Sequence, residues 1–266
     1  MAAGLRIQAI WTGCHLLDPD RNLCSLLIMV DKSAATHIAR STGWLSRQSR
    51  ALQDDLLSRC VLRHFGEGEA LCRHGDNYTG LFALVSGVLK IEFPTMDGDY
   101  RIASVKQPVF WFGQGASLGK GTFFATMTSA SDAIALFLPH HDFERLIQTA
   151  DYCRAISLLT LEHFAEASQI IGQLLVADVE YRVATRLALL AERAGGKRPS
   201  IVPVTQSELA EMCGFSRHTV QQVLSNLEGR GLIKAGYRRI EVPSPEALTL
   251  GSGRNVVSAA ADPEGD

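Results

Sequence analysis

The sequence lacks the features that would place it among membrane proteins, metalloproteins or common enzymes. It has no run of about 18 consecutive apolar residues, so no membrane-spanning helix is expected. It has no C-x-x-C or H-x-x-x-H pair and no phosphate-binding loop that ends in Gly-Lys. We therefore expect no resident metal, no cofactor and no catalytic constellation.

Cysteine is sparse and scattered, which argues against a disulfide framework or an iron–sulfur cluster. An iron–sulfur cluster usually needs four closely spaced thiolates. A chain of 266 residues also has no need of disulfide cross-links. The apolar residues near the N-terminus are interrupted by polar ones, so no secretory signal is expected. These observations predict reduced thiols and a cytoplasmic location. The six cysteines are Cys14, Cys24, Cys60, Cys72, Cys153 and Cys213.

The stretch from Val204 to Leu227 predicts two short helices joined by a turn. Thr205 followed three residues later by Glu208 is a capping box at the start of the first helix. Gly214 marks the turn, and Ser216 caps the second helix. One face of that second helix is apolar, and the other is polar. This is the layout of a helix-turn-helix whose second helix enters the major groove of DNA. The apolar positions are Val220, Val223, Leu224 and Leu227, and the polar ones are Arg217, His218, Gln221 and Gln222.

The residues that follow predict a wing and a positive surface. The segment Ile233 to Val242 is expected to form two strands that turn near Ala235-Gly236. Between Lys197 and Ile240 there are seven lysines and arginines and three glutamates, a local charge of +4 in a chain of net charge −2. Local positive charge on a mildly acidic protein is typical of phosphate binding. The alternative is a helical hairpin with an exposed polar face.

Residues 61–138 contain short β-rich runs separated by glycines, which predicts an antiparallel barrel or sandwich. Asp97-Gly98 between two such runs predicts a hairpin turn. The predicted fold class is therefore α+β, in which an N-terminal antiparallel barrel or sandwich precedes the C-terminal winged helix-turn-helix. The predicted strands are Val61–Phe65, Ala70–Cys72, Gly80–Ser86, Gly87–Phe93, Tyr100–Val105, Val109–Phe112 and Ala133–Pro139.

Three segments of the β-rich region resemble the cyclic-nucleotide-binding β-roll of the Crp/Fnr transcription regulators. They are F-G-E-G-E-A-L-C-R-H-G-D (65–76), L-F-A-L-V-S-G-V-L-K-I (81–91) and F-G-Q-G-A-S-L (112–118). The order of parts and the segment G-F-S-R-H-T-V-Q-Q-V-L-S-N-L-E also resemble that family, over about residues 45–248. The resemblance implies a homodimeric transcriptional regulator that binds a palindromic site on double-stranded DNA, with RNA polymerase as a further partner.

The pocket segment departs from the family pattern. Members that bind cyclic AMP have a Glu for the ribose and an Arg with a small hydroxyl residue for the phosphate. Here Gln114 stands at the Glu position, and Phe123-Phe124 fall near the Arg position. A buried phosphate without a cationic partner is strongly disfavoured, and the nearby Lys120 does not replace a planar guanidinium. We expect no binding of cyclic AMP through the usual contacts. The pocket either accepts another effector or is closed and structural. Its expected residues are Phe112, Gly113, Gln114, Ala116, Ser117, Phe123 and Phe124.

A helix from Tyr152 to Val176 is expected to carry the dimer interface. Apolar and small residues recur along it at spacings of three and four, which is the pattern of a coiled-coil seam. Packing against the chain's own domains is the alternative. His163 in this seam would face its symmetry mate. The predicted interface residues are Ile156, Thr160, His163, Ala167, Ile170 and Leu174.

The predicted organisation has five parts and assigns DNA contacts to the fourth. Arg217 is the first candidate for base readout, with Gln222 and His218 next. The other predicted DNA-contacting residues are Thr205, Ser216, Thr219, Gln221, Arg238 and Arg239. An alternative function is a partner-binding or structural β-roll protein with a degenerate DNA-binding domain. The parts are 1–44, a weakly ordered extension; 45–142, the β-roll; 143–177, the dimerisation helix; 178–248, the winged helix-turn-helix; and 249–266, a disordered tail.

Overall fold

Two four-stranded antiparallel sheets form the first half of the protein. The computed structural model describes residues 30–119, 121–194 and 198–251. The strand orders are β1-β8-β3-β6 and β2-β7-β4-β5. The predicted α+β class and β-roll are confirmed. The strands are β1 (Val61–Phe65), β2 (Ala70–Cys72), β3 (Gly80–Ser86), β4 (Leu89–Pro94), β5 (Tyr100–Lys106), β6 (Phe110–Phe112), β7 (Thr126–Ser129) and β8 (Ala133–Pro139).

Aromatic side chains fill the space between the two sheets. The ring of Phe82 stacks on that of Phe112 with centroids 5.1 Å apart and lies 4.7 Å from that of Phe137. Burial of side chains of this size removes large apolar areas from water and is the main stabilising contribution to the roll. The turn between β4 and β5 uses Gly98 at a φ of 86°, as the Asp97-Gly98 pair predicts.

The chain before the β-roll is folded from residue 31 onward. Helices α1 (Lys32–Ser41), α2 (Gly43–Ser46) and α3 (Arg50–Arg59) precede β1. Asp31 caps α1 by accepting the N–H of Ala34 at 2.8 Å. Ala35 and Ala39 are fully buried, because their small side chains allow α1 to pack closely on the roll. The expectation of weak order through residue 44 is therefore wrong for residues 31–44, and its earlier part lies outside the described residues.

Within the described residues, five further helices and three strands follow the two short helices of the roll. Helix α4 (Gln114–Leu118) lies between β6 and β7, and α5 (His140–Leu146) follows β8. Next come α6 (Ala150–Leu174), α7 (Val179–Glu192), β9 (Ser200–Val202), α8 (Gln206–Cys213), α9 (Arg217–Gly229), β10 (Lys234–Gly236), β11 (Arg239–Val242) and α10 (Pro245–Gly251). Strands β10, β11 and β9 form a third sheet in that order.

The C-terminal elements share one core with part of the β-roll. Val183 and Leu187 of α7 are fully buried against Leu209, Val220 and other apolar residues of the helix-turn-helix. Val105 of β5 belongs to the same core. Helix α10 adds Leu248 to it and continues through Gly251, so the expected disordered tail does not begin at residue 249. Residues 252–266 lie outside the described chain.

Two tryptophans hold the N-terminal helices against the rest of the protein and provide a matched test of this packing. The Trp44 indole N–H donates to the backbone oxygen of Ala155 at 3.0 Å, whereas the Trp111 indole N–H has no partner among the described residues. Both side chains are buried, and their rings pack edge to face at 5.7 Å.

We predict that Trp44→Phe lowers the free energy of unfolding by about 1 kcal/mol more than Trp111→Phe, because only Trp44→Phe removes a hydrogen bond. Urea unfolding followed by circular dichroism measures both changes. An equal loss, or a larger one for Trp111→Phe, would contradict this role of Trp44.

Candidate DNA-binding surface and β-roll pocket

The helix-turn-helix forms with the caps that its sequence predicts. The Thr205 hydroxyl accepts the N–H of Glu208 at 3.1 Å, and the Glu208 carboxylate accepts the N–H of Thr205 at 2.7 Å. Gly214 ends α8 in the left-handed conformation, with a φ of 70°. The Ser216 hydroxyl then accepts the N–H of Thr219 at 3.1 Å and caps α9.

Helix α9 buries its apolar face and exposes its polar one. Val220 and Leu227 are fully buried, while Arg217, His218, Gln221 and Gln222 are exposed. The Gln222 amide nitrogen lies 3.1 Å from the His218 Nε2, one turn away on the same face. An exposed helix face with several long polar side chains is what the major groove of DNA accepts.

The wing is a short hairpin that is fixed to the end of α9. Strands β10 and β11 pair Gly236 with Arg239, so the tip is Tyr237-Arg238 and not Ala235-Gly236 as the sequence predicts. At this tip Arg238 adopts a positive φ, 52°. The N–H of Ala235 donates to the Glu228 carboxylate of α9 at 2.8 Å.

Several of the basic residues that give this region its positive charge are already paired. Arg230 bonds the carboxylate of Glu180 at 2.5 Å, and Arg238 bonds that of Glu67 at 3.2 Å. Arg198 pairs with Glu246. Exposed ion pairs of this kind contribute at most about 1 kcal/mol, so a DNA phosphate can displace them. The described residues offer no ion-pair partner to Arg217, Lys234 or Arg239. A DNA phosphate can therefore pair with these three charges without displacing a carboxylate.

Two carboxylates of α8 attach the helix-turn-helix to the β-roll. Glu208 bonds the Lys90 ammonium of β4 at 2.6 Å, and Glu211 accepts the backbone N–H of Ile102 in β5 at 2.6 Å. Partial burial opposes ionisation of Glu208, but the Lys90 ammonium and the Thr205 N–H hold its pKa below the ordinary value. Glu208 therefore both caps α8 and attaches it to the β-roll.

A cavity of about 350 Å³ lies between the sheet β2-β7-β4-β5, α4 and α6. Six of the seven predicted pocket residues line it, namely Phe112, Gly113, Gln114, Ala116, Phe123 and Phe124. Ser117 does not, because its side chain is buried on the other side of the short helix α4 and is only 2% exposed. The sequence analysis missed the wall contributed by β5 and α6, which includes Ser104, Lys106, Thr160, His163, Glu166 and Ile170.

The polar part of this wall consists of two pairs of side chains. Lys106 and Glu166, both nearly buried, form an ion pair, and the Lys106 ammonium lies 5.0 Å from the centroid of Phe110. The His163 Nδ1 lies 2.8 Å from the Gln114 amide nitrogen. Burial and the nearby Lys106 charge lower the pKa of His163 to about 4, so its ring is neutral at pH 7. Lys120 lies outside the described residues.

Helix α6 presents a different apolar face to solvent from the predicted one. Ile156 is 2% exposed and packs within its own chain, and Thr160, His163, Ala167 and Ile170 line the chain's own cavity. Of the predicted interface, Leu174 alone is a large hydrophobic residue exposed to solvent, at 42%. We call the exposed apolar stripe the α6 seam. Each of its residues follows one of the predicted interface residues by one position in the sequence. It consists of Leu161, Phe164, Ser168, Ile171 and Leu175.

The shift of one residue corresponds to a rotation of about 100° around the helix axis. Both stripes have spacings of three and four, so periodicity alone does not choose between them. The packing of α6 against its own β-roll buries Ile156 and partly covers Thr160, His163 and Ile170, whereas Ala167 and Leu174 stay exposed. His163 contacts Gln114 within its own chain.

A nucleophile pattern also occurs on α4 but does not form a catalytic site. Gly115 to Gly119 match G-x-S-x-G, in which the serine would sit on an exposed strand-to-helix turn. Here Ser117 lies within α4, is buried, and has no hydrogen-bonded histidine among the described residues. No cluster of three or more His, Cys, Asp or Glu suited to a metal ion occurs in residues 30–119, 121–194 and 198–251. No helix in those ranges is long and apolar enough to span a membrane.

Two family models match the chain at the two regions just described. A cyclic nucleotide-binding domain model matches residues 62–150, and a Crp-like helix-turn-helix domain model matches residues 181–250. The chain belongs to the Crp/Fnr family.

Relatives of this Crp/Fnr-family chain include a nitrogen fixation regulation protein and a cyclic AMP receptor protein. The nitrogen fixation regulation protein FixK of Rhizobium meliloti is 28% identical over 185 residues, which cover 68% of this chain and 82% of FixK. The cyclic AMP receptor protein of Thermus thermophilus is 26% identical over 71% of this chain and 87% of that protein. The structure of FixK2 from Bradyrhizobium japonicum has the same fold, with a TM-score of 0.63 at 16% identity over 71% of this chain and 95% of that one.

The lowered pKa of His163 predicts how the stability of this Crp/Fnr-family chain depends on pH. Because the pKa of His163 falls to about 4 on folding from an ordinary value of 6.5, the unfolded chain binds a proton that the folded chain does not between those values. The contribution of His163 to stability is complete above pH 6.5 and is lost as the pH falls towards 4. Besides Lys106, the charges that act on it are those of Glu166 and Arg193.

We predict that His163→Gln flattens the decline of the unfolding free energy between pH 6.5 and pH 4, a decline of up to about 1.4 kcal/mol per pH unit. Urea unfolding at a series of pH values measures it. His141→Gln is the matched control, because His141 is exposed. The same slope in the wild type and in both variants would show that His163 does not titrate in this way.

Proposed function

We propose that this protein is a homodimeric, sequence-specific DNA-binding transcriptional regulator that recognises an inverted repeat. The observation that carries the proposal is the exposed polar face of α9 in a fully capped helix-turn-helix. Two such helices in one dimer would lie in successive major grooves, about 34 Å apart. We also propose a division of the chain into five parts, in which residues 31–44 and 249–251 are folded. The parts are an extension (1–44), the β-roll (45–142), the dimerisation helix (143–177), the winged helix-turn-helix (178–248) and a tail (249–266).

Base recognition is proposed for the exposed face of α9. Arg217 carries a guanidinium without a described ion-pair partner at the start of the helix and is suited to a bidentate contact with guanine. Gln222 is suited to adenine, and His218 to guanine or a phosphate. Contacts to the DNA backbone are proposed for the neighbouring residues, which position the protein without specifying sequence. They are Thr205, Ser216, Thr219, Gln221, Arg238 and Arg239.

Dimerisation is proposed through the α6 seam. Phe164 is 69% exposed, Ile171 59% and Leu175 82% in the single chain. A contiguous apolar stripe on a helix of 25 residues is stabilised by pairing with an equivalent stripe, as in a coiled coil. This second copy, DNA and RNA polymerase are the proposed partners, and the cytoplasm is the proposed location.

We further propose that the β-roll cavity does not hold a cyclic phosphate. Lys106 supplies an ammonium on the cavity wall, but Glu166 neutralises it. The residues near the expected Arg position are Phe123 and Phe124, which carry no charge. A cyclic nucleotide would bring a charge into an apolar cavity without a free counter-charge. This chain thus departs at the cavity from the family pattern for cyclic AMP described above.

The base-reading role of Arg217 can be tested by substitution. We predict that Arg217→Ala weakens binding to the preferred site by roughly 5- to 150-fold, corresponding to about 1–3 kcal/mol, and leaves binding to random DNA almost unchanged. Fluorescence anisotropy with both duplexes at constant salt measures the two affinities. Arg154→Ala, at an exposed position on α6, is the matched control. A uniform loss on both duplexes would make Arg217 a phosphate contact, and the absence of salt-dependent binding to any DNA would favour a degenerate DNA-binding domain.

The interface can be tested by introducing a charge. We predict that Ile171→Glu converts the dimer to a monomer at micromolar concentration, because two carboxylates would be buried against each other in the seam. Gln169→Glu adds the same charge to an exposed position of α6 away from the seam and should remain dimeric. Analytical ultracentrifugation distinguishes the two. Dissociation by both variants, or by neither, would place the interface elsewhere.

A further inference from the structure

We infer that Arg182 is a positioning residue, whose guanidinium fixes the reading helix α9 relative to α6 and so determines which spacing of half-sites the dimer accepts. The inference rests on the proposed function, since it needs a homodimer that reads an inverted repeat. Its basis is a group of hydrogen bonds that join the end of α6 to the turn of the helix-turn-helix.

The junction between α6 and α7 is short and is held by side chains from both helices. Residues 175–178 lie between the two helices. The Asp178 carboxylate caps α7 by accepting the N–H of Tyr181 at 2.8 Å. The Gln173 amide of α6 donates to the backbone oxygen of Thr185 at 3.1 Å. The last turn of α6 is therefore attached to the second turn of α7.

Arg182 connects this junction to the turn between α8 and α9. Its Nε donates to the backbone oxygen of Val176 at 2.9 Å, and its Nη2 donates to the same oxygen. Its Nη1 donates to the backbone oxygen of Cys213, the last residue of α8, at 3.1 Å. The guanidinium also lies 4.6 Å from the ring centroid of Phe215. One planar side chain thus contacts the junction and the residues on both sides of Gly214.

The chemistry of arginine makes this connection rigid. A guanidinium presents its donors in a fixed planar fork, so bonds on its different edges hold the two carbonyl oxygens at one separation. Cys213 lies at the C-terminal end of α8, where carbonyl oxygens lack partners within the helix and the helix dipole favours a positive charge. Arg182 is partly buried, so water competes less for these bonds.

A neighbouring arginine makes a matched contact with α8 and none with the junction. Arg186 lies one turn further along α7, is 2% exposed, and donates from Nη2 to the backbone oxygen of Met212 at 3.2 Å. It makes no hydrogen bond to α6 or to residues 175–178 in the described chain, although the charge of Glu166 on α6 acts on it. Both arginines therefore attach α7 to α8, and of the two only Arg182 also bonds the junction.

This connection determines where the two reading helices of a dimer lie. Pairing along the α6 seam fixes the two α6 helices relative to each other, and each Arg182 then fixes α9 relative to its own α6. One base pair added between the half-sites moves them apart by about 3.4 Å and rotates one of them by roughly 35° around the DNA axis. A rigid junction cannot follow this change, whereas a junction without the guanidinium bonds can follow it more easily.

The test compares the full-length wild type with Arg182→Met and Arg186→Met by fluorescence anisotropy at constant salt. The duplexes carry the selected inverted repeat, the same repeat with one base pair added or removed between its half-sites, and one half-site alone. We expect the wild type to bind the altered spacings at least about ten-fold more weakly than the selected repeat, because the second half-site is misplaced. In Arg182→Met this loss should shrink by at least about five-fold, which corresponds to one hydrogen bond, while the affinity for one half-site is unchanged.

Arg186→Met is the matched control and should keep the wild-type loss on altered spacings. An unchanged loss in Arg182→Met, or the same reduction in both variants, would overturn the inference. Loss of half-site binding in Arg182→Met would assign Arg182 to the folding of the helix-turn-helix and would overturn it as well. A wild type that binds all spacings equally would instead contradict the proposed dimeric regulator, so the two failures are distinguishable.

Discussion

Helix Ala150–Leu174 has two apolar faces, and the described chain covers one of them and leaves the other exposed. One face closes the β-roll cavity with Thr160, His163 and Ile170, and the α6 seam remains exposed on another. The first face makes the helix part of the pocket wall, and the second favours pairing with the same helix of a second subunit. This arrangement places the β-roll cavity and the proposed dimer interface on adjacent sides of one rigid element, about 100° apart.

Strand β5 connects the β-roll cavity to the helix-turn-helix. Ser104 and Lys106 lie on the cavity wall, whereas Val105 packs into the core of the helix-turn-helix and the N–H of Ile102 donates to Glu211. A ligand that shifts β5 would therefore act on the docking of α8, and through the Gly214 turn on the orientation of α9. Coupling between such sites is typically worth about 1–3 kcal/mol, which is comparable to the few polar contacts that hold α8 to the roll.

Local signals in the sequence predicted the local structure, and long-range packing explains what they did not predict. Thr205, Glu208 and Gly214 act within a few residues of one another, so the helix-turn-helix followed directly from their order. The strand Thr126–Ser129 escaped prediction because it is polar and has no apolar alternation. Lys106 and Glu166 are 60 positions apart, and no short pattern indicates that they meet. Two equivalent periodicities lie on α6, and the large apolar side chains that the β-roll leaves exposed belong mainly to the stripe one residue further along, which no local pattern shows.

Sequencing of DNA selected from a random pool by the purified, ligand-free protein at near-physiological salt tests whether the protein is a dimeric, sequence-specific DNA-binding regulator. We expect an enriched inverted repeat whose half-sites are one helical turn apart, about 34 Å from centre to centre, because the two α9 helices of a dimer would read successive major grooves. Enrichment of a single unrepeated half-site would contradict the dimer. No enrichment, either from the ligand-free protein or with metabolites of a cell extract added, would contradict the assignment of a sequence-specific regulator.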